Sequence, residues 1–308
     1  MIINPFSILS FAKVNLSLRI LGKRPDNYHE VQTVLQTVSL HDRLNVVKTS
    51  GGEIVFTCDD RAIPVDDGNL IVKAAEALRE KFRVTNSCEI QLTKRIPVQA
   101  GLGGGSSNAA VTLLALTRIW DLPATSAELL ELAATLGADV PFFLAGGCAL
   151  ATGIGTELTP LPDLPRLQIL IVAPSVTVST AIAYQALKAP ALTTSDSVSR
   201  LAISRTQAIF SDSKPWLVCD HLENDFERVI FDIEPEIRRV KEALIQAGAR
   251  CALLAGSGSS VFGIFDSNEV LSGAAQALRQ ESGWRIFSCV TLSRDEYLHA
   301  LSSAIPGR

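Results

Sequence analysis

Between Phe11 and Leu21 apolar and polar positions alternate. Val14, Leu16, Leu18 and Ile20 fall on one side, Lys13, Asn15, Ser17 and Arg19 on the other. A period of two predicts a strand with one buried face. Val31–Leu40 and Leu44–Val47 read as further strands, and Gly51-Gly52 reads as a hairpin turn into Ile54-Val55-Phe56. At Asn69–Phe82 the spacing becomes helical, through Leu70, Ala74, Ala77 and Leu78. Glu89–Leu92 is a short strand. Asn108–Trp120 is an apolar helix that stops before Asp121-Leu122-Pro123, where proline disfavours continuation. Thr125 and Glu128 form a capping-box signature for a helix ending at Gly137.

The second half predicts a strand at Leu167–Ala173, a helix at Pro235–Ala247 and a strand at Val261–Phe265, with a helix and a strand to finish. A Ser/Thr-rich stretch, Thr193–Thr206, lies between, and 190–235 carries no motif that can be mapped. There is no internal repeat. β-rich and α-rich runs without regular βαβ alternation predict an α+β fold. Pro160–Arg166 holds three prolines in seven residues and is the best boundary, giving domains at 1–160 and 161–308.

Composition narrows the function classes. With 308 residues, 47% hydrophobic and 19% charged, the chain has the makings of a large packed core. Its net charge of −4 leaves no basic footprint for nucleic acid, and Lys94, Arg95, Arg238, Arg239 and Lys241 read as solvated faces. No apolar run reaches the roughly 18–20 residues of a membrane span, and Met1–Ser10 lacks a secretory pattern. The six cysteines are dispersed without a Cys-x-x-Cys pair, so they read as reduced, mostly buried residues of a cytoplasmic protein without structural metal.

Candidate chemistry concentrates in Pro97-Val98-Gln99-Ala100-Gly101-Leu102-Gly103-Gly104-Gly105-Ser106-Ser107, which runs into an apolar helix. Glycines let backbone N–H groups face a ligand, and a helix start adds unpaired N–H groups and positive potential. This combination suits phosphate oxygens. The lysine-tipped P-loop is excluded, because no lysine follows Gly105. The dinucleotide fingerprint needs a third glycine where Ser106 stands, and no Gly-x-Ser-x-Gly elbow occurs.

The segment resembles the ATP-binding motif of the galactokinase–homoserine kinase–mevalonate kinase–phosphomevalonate kinase (GHMP) superfamily, on Pro97, Gly101, Leu102, Ser106 and Ser107. A strand lysine, Lys13, and a late glycine turn, Gly256–Ser260, follow the same superfamily order. Within it, Ala12-Lys13-Val14-Asn15-Leu16 with Asn27-Tyr28-His29-Glu30 is similar to kinases acting on a cytidine-diphosphate-linked methylerythritol of the non-mevalonate isoprenoid route. Gly137-Ala138-Asp139-Val140-Pro141-Phe142, Gly146-Gly147 and Ala151-Thr152-Gly153-Ile154-Gly155 extend that likeness, which runs from about residue 10 to about 265.

The resemblance implies two domains, a ribosomal protein S5 domain 2-like one followed by a ferredoxin-like one, with ATP and a small-molecule acceptor meeting between them. It implies transfer of the γ-phosphoryl of ATP to the acceptor's 2-hydroxyl. Lys13 and Asp139 would be catalytic, although a turn carboxylate is the ordinary role of such an aspartate. The ATP site would comprise residues 97–107, with Asn69 either bordering the adenine or simply capping its helix. Mg²⁺ would take a hydroxyl from Ser106 or Ser107, whose plain alternative is N-capping. Asn15, Tyr28, His29, Asp139, Tyr184, Gly256, Ser257 and Gly258 would bind the acceptor, with Tyr184 equally readable as a core residue. Two alternatives stand beside this reading: a homoserine- or mevalonate-type GHMP kinase, and a non-catalytic nucleotide-binding regulator.

Overall fold

The computed structural model describes residues 6–192, 219 and 222–303. The first sheet holds β1 (Phe6–Lys23), β2 (His29–Thr49), β3 (Ile54–Cys58), β4 (Ser87–Thr93), β5 (Cys148–Thr152), β6 (Glu157–Pro160) and the two-residue β8 (Glu223–Asn224). Its main order is β3-β4-β2-β1-β8, and β5 joins β2 with β6 beyond it. The second sheet, β11-β7-β10-β9, is built from β7 (Gln168–Pro174), β9 (Cys251–Leu254), β10 (Val261–Phe265) and β11 (Trp284–Val290), all antiparallel. This is an α+β architecture of two sheets, as the run of elements predicts.

Against the first sheet pack α1 (Leu70–Phe82), α2 (Gly104–Ile119), α3 (Ser126–Leu136) and the single turn α4 (Phe142–Ala145). The second sheet is flanked by α5 (Thr180–Leu187), α6 (Glu227–Ile233), α7 (Pro235–Gln246) and α8 (Asn268–Leu278). A third apolar cluster, with Val14, Leu16, Val34, Ile169, Phe262 and Ile264, joins the two sheets.

That shared core corrects the reading of β1 as half-buried. Lys13, Asn15 and Ser17 are buried along with Val14 and Leu16. A register shift between Phe11 and Ala12 changes the phase of the strand. Ala12, Val14 and Leu16 face the inter-sheet core, while Phe6 and Ile8 belong to the helix-side core. The polar residues that follow lie opposite a cleft and not open solvent.

The hairpin at Gly51-Gly52 is also corrected. β3 pairs in parallel with β4, and β4 lies between it and β2. α1 supplies the crossover a parallel pair requires. α2 begins at Gly104, four residues before the predicted start, so the last glycines and both serines form its first turn. A further helix, α9 (Arg294–Ser303), follows β11; buried Tyr297 anchors it by donating a hydrogen bond to the Phe143 carbonyl.

The cysteines are not uniformly reduced. Cys219 and Cys251, with Cα atoms 5.7 Å apart, form a disulfide, while Cys58, Cys88, Cys148 and Cys289 are free. A separation of 32 residues carried no hint of this pairing, which tertiary proximity decides. The Ser/Thr-rich stretch 193–206 lies outside the described residues.

Candidate active site

Lys13 projects from the middle of β1, its side chain 4% exposed. Its Nζ donates to Asn15 Oδ1 at 2.8 Å and stands 3.4 Å from Asp139 Oδ2. Asn15 in turn donates to Thr33 Oγ1, and that hydroxyl donates to the Ser17 carbonyl. The relay uses both ends of the Asn15 amide and so fixes which end faces the ammonium. Asp139 lies on the turn between α3 and α4, with its carboxylate 36% exposed toward a cleft of about 1010 Å³.

The glycine segment reaches the same cleft. The Lys13 backbone N–H donates to the Leu102 carbonyl, which seams the loop to the lysine strand. Gly101 and Gly103 take φ of +76° and +70°, where a side chain is disfavoured. A Cβ on Gly103 would sit 2.8 Å from the Phe143 ring and 3.1 Å from Lys13 Cγ. The loop therefore fits between β1 and the Asp139 segment only without a side chain. Gln99 also takes a left-handed φ of +53° at the cleft wall.

Gly103 is the N-cap of α2 and offers no side-chain hydrogen bond. Neither serine caps the helix. The first-turn N–H groups of a 16-residue helix thus lack a side-chain partner, which is the donor arrangement that phosphate oxygens need. Ser106 lines the cleft, whereas Ser107 is fully buried and its Oγ accepts from Ser10 Oγ at 2.8 Å. Among the described residues no cluster of three or more His, Cys, Asp or Glu could hold a metal by itself.

From the other sheet, the turn after β9 interlocks with this loop. Ser260 N–H donates to the Ala100 carbonyl, and Gly256 lies so close that a Cβ there would be 3.1 Å from the Gly101 carbonyl oxygen. Asn224 holds the turn from behind, donating to the carbonyls of Leu254 and Gly256. Ser257 and Thr180 share a hydroxyl hydrogen bond of 3.0 Å at the start of α5.

At the far end of the cleft, His29 and Tyr184 stack with ring centroids 4.6 Å apart, and Tyr184 meets Phe226 edge-on. Tyr184 is thus both packed and site-facing. Burial, with the nearby Asp139 charge, pushes its hydroxyl up to about 12, so it stays protonated. Burial, helped by the Lys23 charge, lowers the His29 imidazole below its usual value and favours the neutral ring. Tyr28 is 61% exposed on the same rim.

The cleft thus gathers Lys13, Asn15, Tyr28, His29, Gln99, Gly101, Gly103, Ser106, Asp139, Tyr184, Gly256, Ser257 and Gly258. Pro97, Val98, Ala100, Leu102, Gly104, Gly105, Ser107 and Asn69 are not among the residues that line it. The Asn69 side chain caps α1 by accepting from Ile71 N–H and donates to the Pro64 carbonyl.

Thr180 and the 154–156 turn line the cleft too, and sequence reasoning gave them no site role. It also placed Lys94 on a solvated face. Lys94 is instead buried and bonded to the fully buried Asp42 at 2.6 Å. Burial lowers its ammonium below the usual lysine value, with Asp42 opposing. The adjacent basic residue Arg95 concealed this, because a Lys-Arg pair looks like surface charge.

Residues 69–147 match the GHMP kinases N terminal domain, and residues 217–283 match GHMP kinases C terminal. A 4-diphosphocytidyl-2-C-methyl-D-erythritol kinase of Citrifermentans bemidjiense is 41% identical over 277 residues, covering 90% of this chain and 95% of its own. One from Prosthecochloris aestuarii is 41% identical, covering 88% and 93%. A crystal structure of 4-(cytidine 5'-diphospho)-2C-methyl-D-erythritol kinase superimposes with a TM-score of 0.76 at 35% identity, over 92% of this chain and 98% of the other. A homoserine kinase from Cytophaga hutchinsonii reaches 0.71 at 20% identity, a likeness of fold alone. With two fifths of its residues shared along nearly the whole length of such relatives, the chain belongs to the 4-diphosphocytidyl-2-C-methyl-D-erythritol kinase family of GHMP kinases.

Proposed function

We propose that this chain transfers the γ-phosphoryl group of ATP to the 2-hydroxyl of 4-diphosphocytidyl-2-C-methyl-D-erythritol, giving the 2-phosphate and ADP. One observation carries the reading: the Lys13–Asp139 pair, the uncapped start of α2 and the His29–Tyr184 stack all face one cleft. The first-turn amides of α2 and the backbone of 99–103 hold the nucleotide phosphates. Asp139 accepts the hydroxyl proton as the acceptor oxygen bonds to phosphorus and the bond to ADP breaks. Lys13 orients Asp139 and offsets charge on the transferring group.

His29, Tyr184 and Tyr28 grip the cytosine, and Asn15 with the 256–258 turn holds the remainder of the acceptor. Mg²⁺ accompanies the phosphates, with the Ser106 hydroxyl its candidate protein oxygen. The reaction belongs to non-mevalonate isoprenoid precursor synthesis, and the proposed compartment is the cytoplasm. We also propose a domain division near residue 160; β1–β6 lie before it and β7, β9, β10 and β11 after it, while β8 crosses back to the first sheet.

A coupled ADP-release assay tests the function. ADP should appear with the cytidylated acceptor and not with methylerythritol phosphate lacking the cytidine. Equal rates with both would overturn the cytidine assignment, and release with homoserine or mevalonate alone would favour another GHMP kinase. Nucleotide binding without turnover on any acceptor would leave a regulator.

Two variants refine the roles. Tyr184→Leu keeps an apolar body but removes the stacking face, so KM for the acceptor is expected to rise about tenfold, with KM for ATP unchanged. An unchanged acceptor KM would place the cytosine elsewhere. Ser106→Ala should raise the Mg²⁺ concentration needed for half-maximal rate, while Ser107→Ala, altering only the buried bond to Ser10, should not. The reverse pattern would reassign the metal oxygen.

A further inference from the structure

We propose that Asp42 is a positioning residue for the nucleotide loop, a buried carboxylate that clamps both ends of the glycine segment. The proposal rests on the reading of that segment as the nucleotide site. Asp42 belongs to β2 and pairs with Ser10 of β1. Its Oδ1 accepts from the backbone N–H groups of Arg95 and Ile96, at 2.7 and 2.8 Å. Its Oδ2 accepts from Lys94 Nζ at 2.6 Å and from Asn108 Nδ2 at 3.0 Å. Residues 94–96 lead into the loop, and Asn108 sits in α2 just after it. One side chain therefore gathers the entrance and the exit.

The surrounding bonds close the clamp. Lys94 Nζ also donates to the Ile96 carbonyl at 2.6 Å, and Asn108 Nδ2 to Ser10 Oγ at 2.8 Å. Ser10 then bonds to Ser107 in the first turn of α2. Gly104 rests on the entrance segment; a Cβ there would be 3.0 Å from Ile96 Cγ2 and 3.1 Å from Lys94 Nζ.

A buried ion pair is weak evidence for stability, because desolvation offsets most of the attraction. A cluster of apolar side chains would pack this place as well. What apolar residues would not do is hold two backbone amides and a helix side chain to fixed points. The loop between those points runs through left-handed backbone at Gln99, Gly101 and Gly103, so its amides keep their aim only if its ends stay put. Donors aimed in advance lower the ordering cost of binding phosphate.

The test compares KM for ATP with KM for the acceptor. Asp42→Asn would strand the Lys94 ammonium, so the informative variant is Asp42→Asn with Lys94→Met, which removes both charges. KM for ATP is expected to rise about tenfold while KM for the acceptor stays within about twofold. Asn108→Ala, which removes the bonds from α2 to Asp42 and to Ser10 and leaves the entrance ties in place, should raise KM for ATP about threefold. Circular dichroism establishes that each variant is folded, and if the double variant is not, Asn108→Ala alone decides. An ATP KM unchanged in folded variants would overturn the clamp, as would equal rises in both KM values. Gly104→Val serves as the control. If it also leaves KM for ATP unchanged, the nucleotide reading itself falls; if it alone raises KM for ATP, only the role of Asp42 is lost.

Discussion

Asp139→Asn is expected to lower kcat about a thousand-fold, with the affinity for ATP within about twofold of the parent. Asparagine keeps the shape of the side chain and removes the negative charge and the proton-accepting oxygen. The carboxylate is 36% exposed, so its pairing with Lys13 adds modestly to stability. Folding should therefore survive, and the loss should be read in the chemical step. Lys13 would keep Asn15 as its partner. Calorimetric titration with ATP and steady-state rates at saturating acceptor separate the two effects. A kcat within about tenfold of the parent would remove Asp139 from the reaction, since general bases contribute at least that much. Combining Asp139→Asn with Lys13→Met should lose little beyond either single change, because residues acting as a unit are not additive.

Gly101→Ala is the second large effect, and it acts through the fold. The added Cβ would sit 1.9 Å from the Ala255 carbonyl oxygen, 2.7 Å from its carbon and 3.2 Å from the Gly258 carbonyl oxygen. All three are backbone atoms, so no rotamer change relieves the clash. The left-handed φ adds about 1 kcal/mol and overpacking about 1–3 kcal/mol, for an expected loss near 3 kcal/mol. The two glycine turns must separate, which breaks the bond from Ser260 N–H to the Ala100 carbonyl. A lower urea midpoint at unchanged slope, together with an ATP KM raised at least about tenfold, is the expected result. Gly105→Ala is the stability control. Its nearest neighbour would be Leu70 Cδ1 at 3.8 Å and its φ is helical, so alanine should be neutral or slightly stabilising. Equal destabilisation by both changes would mean that general strain in the loop, and not contact between the turns, is responsible.

Both variants sit on features that differ in how far the sequence revealed them. Lys13 and Asn15 share a strand side by period two, and their contact follows from that spacing. The capping box at Thr125 and Glu128 forms as read, because both partners lie within one helical turn. The hairpin at Gly51-Gly52 does not, because strand pairing is settled by which neighbour covers an edge, and β4 covers β2. Lys94 and Asp42 are 52 residues apart, and nothing in either local pattern announces their bond. The same holds for Cys219 with Cys251.

The sequence by itself determined the α+β class, and it marked the glycine segment as a candidate place for phosphate and the residue types that would carry the proposed chemistry. Those are properties of local spacing and of backbone freedom, and they travel with short stretches of chain. Only the tertiary structure decided that Lys13 lies 3.4 Å from Asp139, that Gly256 backs onto Gly101 and that a buried carboxylate ties down both ends of the loop. Contacts between distant segments depend on how two sheets share one core. Packing sets that arrangement, and it leaves no periodic trace in the order of residues.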